Sequence, residues 1–358
     1  MHLIQSGKFT DKRILLIDKD PKKANDRTWC FWEKNSGLFE NIVYKNWQKL
    51  SFYGQDFADE LNIAPYTYKM IRGVDFYTYC LNEVSKHPNF TVRFDTVEEI
   101  FSDGNTGIRV NGEYMYSDYV FNSIIFNKPN LTSRQYWLLQ HFKGWVIETE
   151  DHIFNDEKAT LMDFRPSQEN GTTFCYVLPF ASNKAIVEYT LFSKSLLTPN
   201  EYDRNLKHYI VNTLKIGSFK VLEVEFGIIP MTNFNFSPRR NNIVNLGTAG
   251  GRTKGSSGYT FRSIQKHSQE LVQQLINHGD PESRKVPGRY TFYDSVLLNI
   301  LYKNSLPGKQ IFTDLFQKND APSVLKFLDN ESSLGEELKI ISTLPTWPFL
   351  KAAVNQLF

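Results

Sequence analysis

The sequence has few cysteines, no long apolar run and almost no net charge, and each shortage closes off a class of protein. Cys30, Cys80 and Cys175 are its three cysteines in 358 residues, too scattered for a disulfide framework or a Cys-x-x-Cys metal knuckle. The chain therefore reads as a reduced, intracellular one. No uncharged apolar stretch approaches the roughly 18 residues that span a bilayer, and the first residues carry no apolar signal core. With 41 basic and 39 acidic side chains the net charge is +2, which offers no basic field to draw nucleic acid. The seven histidines show no metal-ligand spacing, so no metal site is expected. Ser256-Ser257 sits in no G-x-S-x-G elbow, which leaves hydrolase chemistry without support. Repeats and low-complexity tracts are absent too.

What the chain does have is aromatic rings: 28 Phe, 18 Tyr and 6 Trp, 15% of all residues, at a mean hydropathy of −0.40. Most rings of this kind are core. Trp29, Phe31, Trp32, Trp137, Trp145, Phe174, Tyr176, Phe180, Tyr189 and Tyr259 also offer π faces that stabilise a cation unable to accept hydrogen bonds.

The pattern along the chain predicts an α/β fold. Residues 1–5 look like the tail of a helix, Ile14 to Ile17 like a buried strand closed by Asp18, and Lys19 to Trp32 like a loop. A helical stripe follows at 76, 77, 80, 81 and 84. Asn111-Gly112 between two short alternating runs predicts a two-residue hairpin, because both turn positions need positive φ. Tyr119 to Ile125 reads as a strand returning to a central sheet. Strands are then expected at 145–149, 160–164, 172–180, 185–192 and 221–229, interrupted by one amphipathic helix at about 202–214. A short buried strand at 243–246 leads into a glycine-rich run, a helix to about Asn277, and short helices to the end.

That glycine run, Gly247 to Gly258, carries the strongest local signal. Five glycines within twelve residues, between a strand and a helix, let backbone N–H groups approach a phosphate or a planar ring at a positive helix end; the plainer reading is a flexible loop. Its spacing is neither G-x-G-x-x-G nor a P-loop. Asp18, at a strand end, is placed to accept ribose hydroxyls, or is a solvated strand end. Only 17 residues precede it, and they hold no G-x-G-x-x-G, which in dinucleotide folds lies roughly 20 residues upstream of this acid.

Glu188 interrupts a strand that is apolar on both faces. With period 2 it shares one face with Ile186, Thr190 and Phe192. Buried without a cation, its carboxyl stays protonated and suits a general acid; the alternatives are a partner Arg or Lys, or an edge position. Glu223 and Glu225 alternate with Leu222, Val224 and Phe226, the pattern of a half-exposed strand, and read as solvated.

Asp26 to Trp32, Gln140 to Trp145, Val187 to Thr190, Ile229 to Thr232, and Gly247 to Gly258 with Tyr259 together resemble, in order and over essentially the whole chain, lycopene cyclases of the bacterial β-cyclase type. The resemblance implies an FAD-binding Rossmann-like domain of the glutathione-reductase type, an inserted antiparallel-sheet substrate domain and a helical C-terminus. It divides the chain into 1–45, 73–125 and 241–280 for FAD, 46–72 and 135–235 for the substrate, and 285–358 for the C-terminal helices. It further implies reduced FAD, NAD(P)H as its reductant, lycopene and other linear carotenoids as substrates, and peripheral contact with the inner membrane from the cytoplasm.

By the same resemblance Glu188 is the first Glu of the family's Phe-Leu-Glu-Glu-Thr motif, assigned there to acid-base work. Tyr189 replaces the second, so a two-carboxylate scheme is not expected. The flavin contacts fall on Asp18, Arg27, Gly247, Gly250, Gly251, Gly255 and Gly258. Family members begin with a strand and a glycine-rich dinucleotide loop, and the sequence reads as starting short of them. The implied reaction is a redox-neutral cyclisation of lycopene ends to β-ionone rings, giving β-carotene by way of γ-carotene. The rivals are an FAD- and NAD(P)H-dependent oxidoreductase acting on an apolar substrate, such as a prenyl reductase or hydroxylase, and an inactive fragment.

Overall fold

The computed structural model describes residues 1–282 and 286–357. Its largest element is a seven-stranded sheet in the order Lys220–Thr232, Trp137–Glu148, Lys184–Ser193, Thr172–Ala181, Lys158–Asp163, Lys49–Tyr53, Ala58–Asn62. All neighbours in it are antiparallel except Lys158–Asp163 and Lys49–Tyr53, which run parallel. Each strand expected between 145 and 229 is present, and two of the five, Lys184–Ser193 and Lys220–Thr232, extend beyond their expected run at both ends.

The alternation in Lys184–Ser193 divides two cores. Ile186 and Phe192 join the larger one, while Ala185, Val187, Tyr189 and Leu191 join a second. The second core is closed by Tyr202 and Leu206 of the helix Pro199–His208, which a Thr198/Glu201 capping box opens and a π turn, Tyr209–Thr213, continues. The larger core is closed by the C-terminal helices, with Phe312 stacked on Phe164 at 5.6 Å and Phe316 on Phe52 at 4.7 Å. Those helices are Gly288–Lys303, Gly308–Gln317, Ala321–Leu328, Leu334–Ser342 and Thr346–Leu357. Of the C-terminal region expected over 285–358, Lys285 and Phe358 lie outside the described residues.

A three-stranded sheet, Thr28–Glu33, Thr67–Arg72 and Lys45–Trp47, packs against the same core. This corrects the loop expected over 19–32, whose last residues form a strand paired with Thr67–Arg72. Cys30 and Trp32 face the larger core, whereas Trp29 and Phe31 face an aromatic cluster with Phe39, Phe76 and Phe261. Burial on both faces removes the polar alternation by which a strand is recognised.

Ile14–Asp18 is a strand, parallel to Phe90–Phe94 in a two-stranded sheet. The expectation that it is buried is corrected: Leu15 and Leu16 are 37% and 41% exposed, since it pairs along one edge only. Val120–Asn122 pairs in parallel with Ile243–Asn245, which corrects the return to a central sheet expected over 119–125: the strand is three residues long and belongs to a separate three-stranded sheet. The hairpin at Asn111-Gly112 forms as expected, with φ of 52° and 79° at the two turn positions.

Phe52 joins the sheet to the C-terminal helices and is fully buried. Phe52→Ala is expected to lower stability by about 3–5 kcal/mol, read from chemical denaturation midpoints; a loss under about 1 kcal/mol would contradict this packing.

Candidate active site

The site is built on the strand Trp137–Glu148, where Gly144 pairs with Glu188 on one side and Glu225 on the other. One strand further out, Tyr176 pairs with Glu188. Directly paired residues point to the same face of a sheet, so Tyr176, Glu188 and Glu225 form one row with an empty slot at Gly144. Glu225 uses that slot: a Cβ at 144 would lie 2.9 Å from its Cγ and 3.2 Å from its Oε1.

Each carboxyl is held by one threonine. Thr190 Oγ1 donates to Glu188 Oε1 at 2.7 Å, and Thr28 Oγ1, from the overlying three-stranded sheet, donates to Glu225 Oε2 at 2.8 Å. Glu225 is 8% exposed, and its Oε1 is buried with no N–H or hydroxyl donor. Across the slot the Glu188 carboxyl is electrostatically coupled to Glu225.

Burial, and then the charge of Glu225, holds the Glu188 carboxyl well above the usual carboxylate range. Burial also raises Glu225, but hydrogen bonds from Thr28 and Glu188 pull it back. Glu225 therefore ionises first and Glu188 keeps the proton. Glu188 has no Arg or Lys partner, and its charged neighbour is the Glu225 carboxyl. Two expectations are corrected together. Glu225 is buried, not solvated, whereas Glu223 is exposed and accepts from Asn25 at 3.0 Å. A second carboxylate is present after all.

The error over Glu225 has a simple origin. Alternation assigned its face correctly but inverted the burial, because Val224, Phe226 and Ile228 are the exposed side of that strand, at 54%, 47% and 46%. Tyr189, which follows Glu188, points into the second core, where its hydroxyl accepts from Asn205 at 3.3 Å. Consecutive strand residues face opposite ways, so a second carboxyl for this site has to come from another strand. The sequence signal was the glycine at 144, which nothing local required.

A cavity of about 1040 Å³, at the upper end of ligand pockets, lies nearby, with neither carboxyl among its lining residues. Cys30 and Tyr259 line it and also feel the charge of Glu188; Trp32 meets Tyr259 edge-on at 4.6 Å. One wall is the glycine run, which begins with the 3-10 turn Gly247–Gly250. Gly250, Gly251 and Gly255 line the cavity, and Gly251, at φ 70°, leaves space where a Cβ would meet nothing nearer than 3.7 Å. Gly258, at φ 72°, yields to Gln140, whose Oε1 would lie 2.0 Å from a Cβ there. Arg252, Lys254, Arg262, Lys266 and Arg289 outnumber Glu270, Asp294 and Asp329 along the walls. Four of these basic groups are paired with acids, Lys254 with Asp294, Arg262 with Asp329, Lys266 with Glu331 and Arg289 with Glu337, so it is the open glycine turn and the aromatic rings that fit a group carrying a planar ring and phosphates.

Asp18 and Arg27 are not on that wall. Asp18 is exposed, accepts from the Asp20 amide at 2.9 Å and pairs with Lys22 at 3.4 Å. Arg27 pairs with Asp26 at 2.6 Å. His141, within one of the quoted motifs, is buried between Ser193 and Tyr202, and burial lowers it to about 4. It is neutral and faces away from the pair. Among the described residues no group of three or more His, Cys, Asp or Glu is placed to hold a metal.

The family model described as "Lycopene cyclase protein" matches residues 5–354. The chain belongs to the lycopene cyclase family. The chloroplastic/chromoplastic lycopene beta cyclase of Narcissus pseudonarcissus is 28% identical over 151 residues, which is 37% of this chain. That stretch spans 29% of the relative's length. Two solved structures share the fold. A flavoprotein/dehydrogenase from Cytophaga hutchinsonii superposes with a TM-score of 0.62 at 12% identity, over 99% of this chain and 95% of that one. A geranylgeranyl bacteriochlorophyll reductase-like protein from Thermoplasma acidophilum gives 0.61 at 12% identity, over 99% and 96%. This family member therefore has the mixed α/β fold of these proteins, with a large sheet and C-terminal helices, as its sequence led us to expect.

Gly144→Ala drives a methyl group into the Glu225 side chain. It is expected to lower stability by about 1–3 kcal/mol, whereas Gly217→Ala, with open space around it, is expected to be nearly neutral. Equal denaturation midpoints for the two variants would show that the slot is not needed.

Proposed function

We propose that this lycopene cyclase family member is a proton-initiated cyclase that closes the ends of lycopene, and of other linear carotenoids, into β-ionone rings without net redox change. The single observation that supports this reading is the Glu188 carboxyl, held well above the usual carboxylate range, half-buried near aromatic rings and a large cavity and facing no cation.

The chemistry asks for such a group. An alkene is a weak base, so its proton donor must be desolvated and the resulting tertiary cation must be shielded from water. Glu188 gives its proton to the terminal double bond. The neighbouring double bond attacks the cation and closes the ring, and loss of a ring proton leaves the new double bond. Tyr176, Trp32 and Tyr259 present rings that stabilise positive charge without capturing it. FAD would be held along the cavity wall by Gly250, Gly251 and Gly255 and would supply in its reduced form an electron-rich ring, with NAD(P)H as its reductant.

A linear hydrocarbon of this size resides in bilayers, so peripheral contact with the inner membrane from the cytoplasm belongs to the proposal. Among the described residues no helix is long and apolar enough to cross a membrane. The fold shared with a reductase-like protein supports a second reading, a redox enzyme acting on an apolar substrate.

In cells that accumulate lycopene, Glu188→Gln is expected to reduce cyclised product by at least about 100-fold while bound flavin absorbance is retained. Carotenoids read by chromatography check this, and undiminished β-carotene would overturn the assignment. Nicotinamide consumed in proportion to product would favour the redox reading.

A further inference from the structure

A cyclase of this kind needs Glu188 to arrive protonated at neutral pH and to recover its proton after each ring closure, and nothing in its own strand provides for either. We infer that Glu225 is the positioning carboxyl of Glu188: the two hold one proton across the slot at Gly144, with Glu188 as donor and Glu225 as acceptor. The inference deepens the proposed function and rests on it.

Three geometric facts carry it. The register places the two residues in one row on either side of Gly144. The glycine's missing side chain is the space that Glu225 fills. Glu225 Oε1 is buried with no N–H or hydroxyl to satisfy it, which at a carboxylate is a severe desolvation unless a neighbouring carboxyl donates.

The surroundings do not offer an alternative partner. The strand Thr28–Glu33 presents Thr28 and Cys30, the strand Thr172–Ala181 presents Tyr176, and the glycine-run segment presents Tyr259. Glu223, of the Glu225 strand, and Asp26 act on Glu225 from its exposed side. None of these groups is a cation, so the pair is balanced by a shared proton.

The proton count then closes. The O–H bond of Glu188 breaks as a C–H bond forms on the alkene, and the neighbouring π pair makes the ring C–C bond. The C–H bond at the new ring carbon breaks as the Glu188 O–H is remade. While the cation exists, two facing carboxylates oppose its charge. No electron is gained or lost, and the pair ends with the one proton it began with.

The test compares cyclisation rates against pH for wild type, Glu225→Gln and Glu225→Asp, using the full chain with reduced FAD and lycopene in detergent micelles. Removing the Glu225 charge lets Glu188 ionise sooner. Glu225→Gln is therefore expected to move the alkaline limb of the profile down by at least about one pH unit; Glu225→Asp restores the limb. A uniform fall at every pH with no shifted limb would overturn the inference.

A second readout needs no turnover. Both carboxyls titrate higher in the folded chain, so their contribution to stability is full at acid pH and is lost as pH rises through the raised range. Wild-type melting temperature should therefore drop above the ordinary carboxylate range, and that of Glu225→Gln should drop less steeply. Parallel curves would overturn the pair whether or not lycopene is cyclised. A shallower Glu225→Gln curve in a chain that makes no ring would instead leave the pair standing and overturn the cyclase reading.

Discussion

Two carboxyls face each other over a glycine, inside the protein, with no positive charge between them. This is the constraint on which the rest of the site depends. Enclosing a single carboxylate is already costly, and two enclosed together are tolerable only with a shared proton and firm hydrogen bonds. Thr28 and Thr190 provide the hydrogen bonds. The wide sheet fixes the row, and the three-stranded sheet covers it.

The aromatic richness of the chain has a structural reason in this light. Holding an uncompensated polar pair requires a well-packed frame around it. Trp32, Trp47, Tyr68, Phe52, Phe164 and Phe174 are almost fully buried and stitch the two sheets to the C-terminal helices. The indole N–H groups complete the stitching: Trp32 donates to Leu325 O at 3.2 Å and Trp47 to Pro179 O at 3.1 Å.

Much of this could be read from the residues, and the limits have physical causes. Alternation placed Glu188 on the face it occupies, and Asn111-Gly112 announced its hairpin, because both are local consequences of backbone geometry. The strand Thr28–Glu33 escaped notice because its two faces are equally apolar. Glu225 escaped because its strand inverts the usual rule, exposing Val224, Phe226 and Ile228 while enclosing a carboxyl. Register between strands far apart in sequence is not written in any one of them. The glycine run was legible as a cradle, whereas the distance of Asp18 and Arg27 from the cavity wall emerged only from the fold.

The most direct measurement is infrared spectroscopy of the carboxylic C=O stretch at neutral pH in wild type, Glu188→Gln and Glu225→Gln. The account requires a protonated, buried carboxyl band in the wild type that vanishes in Glu188→Gln and shifts in Glu225→Gln, where an amide replaces the carboxylate acceptor. A wild-type protein without that band, or a band untouched by either substitution, would contradict it.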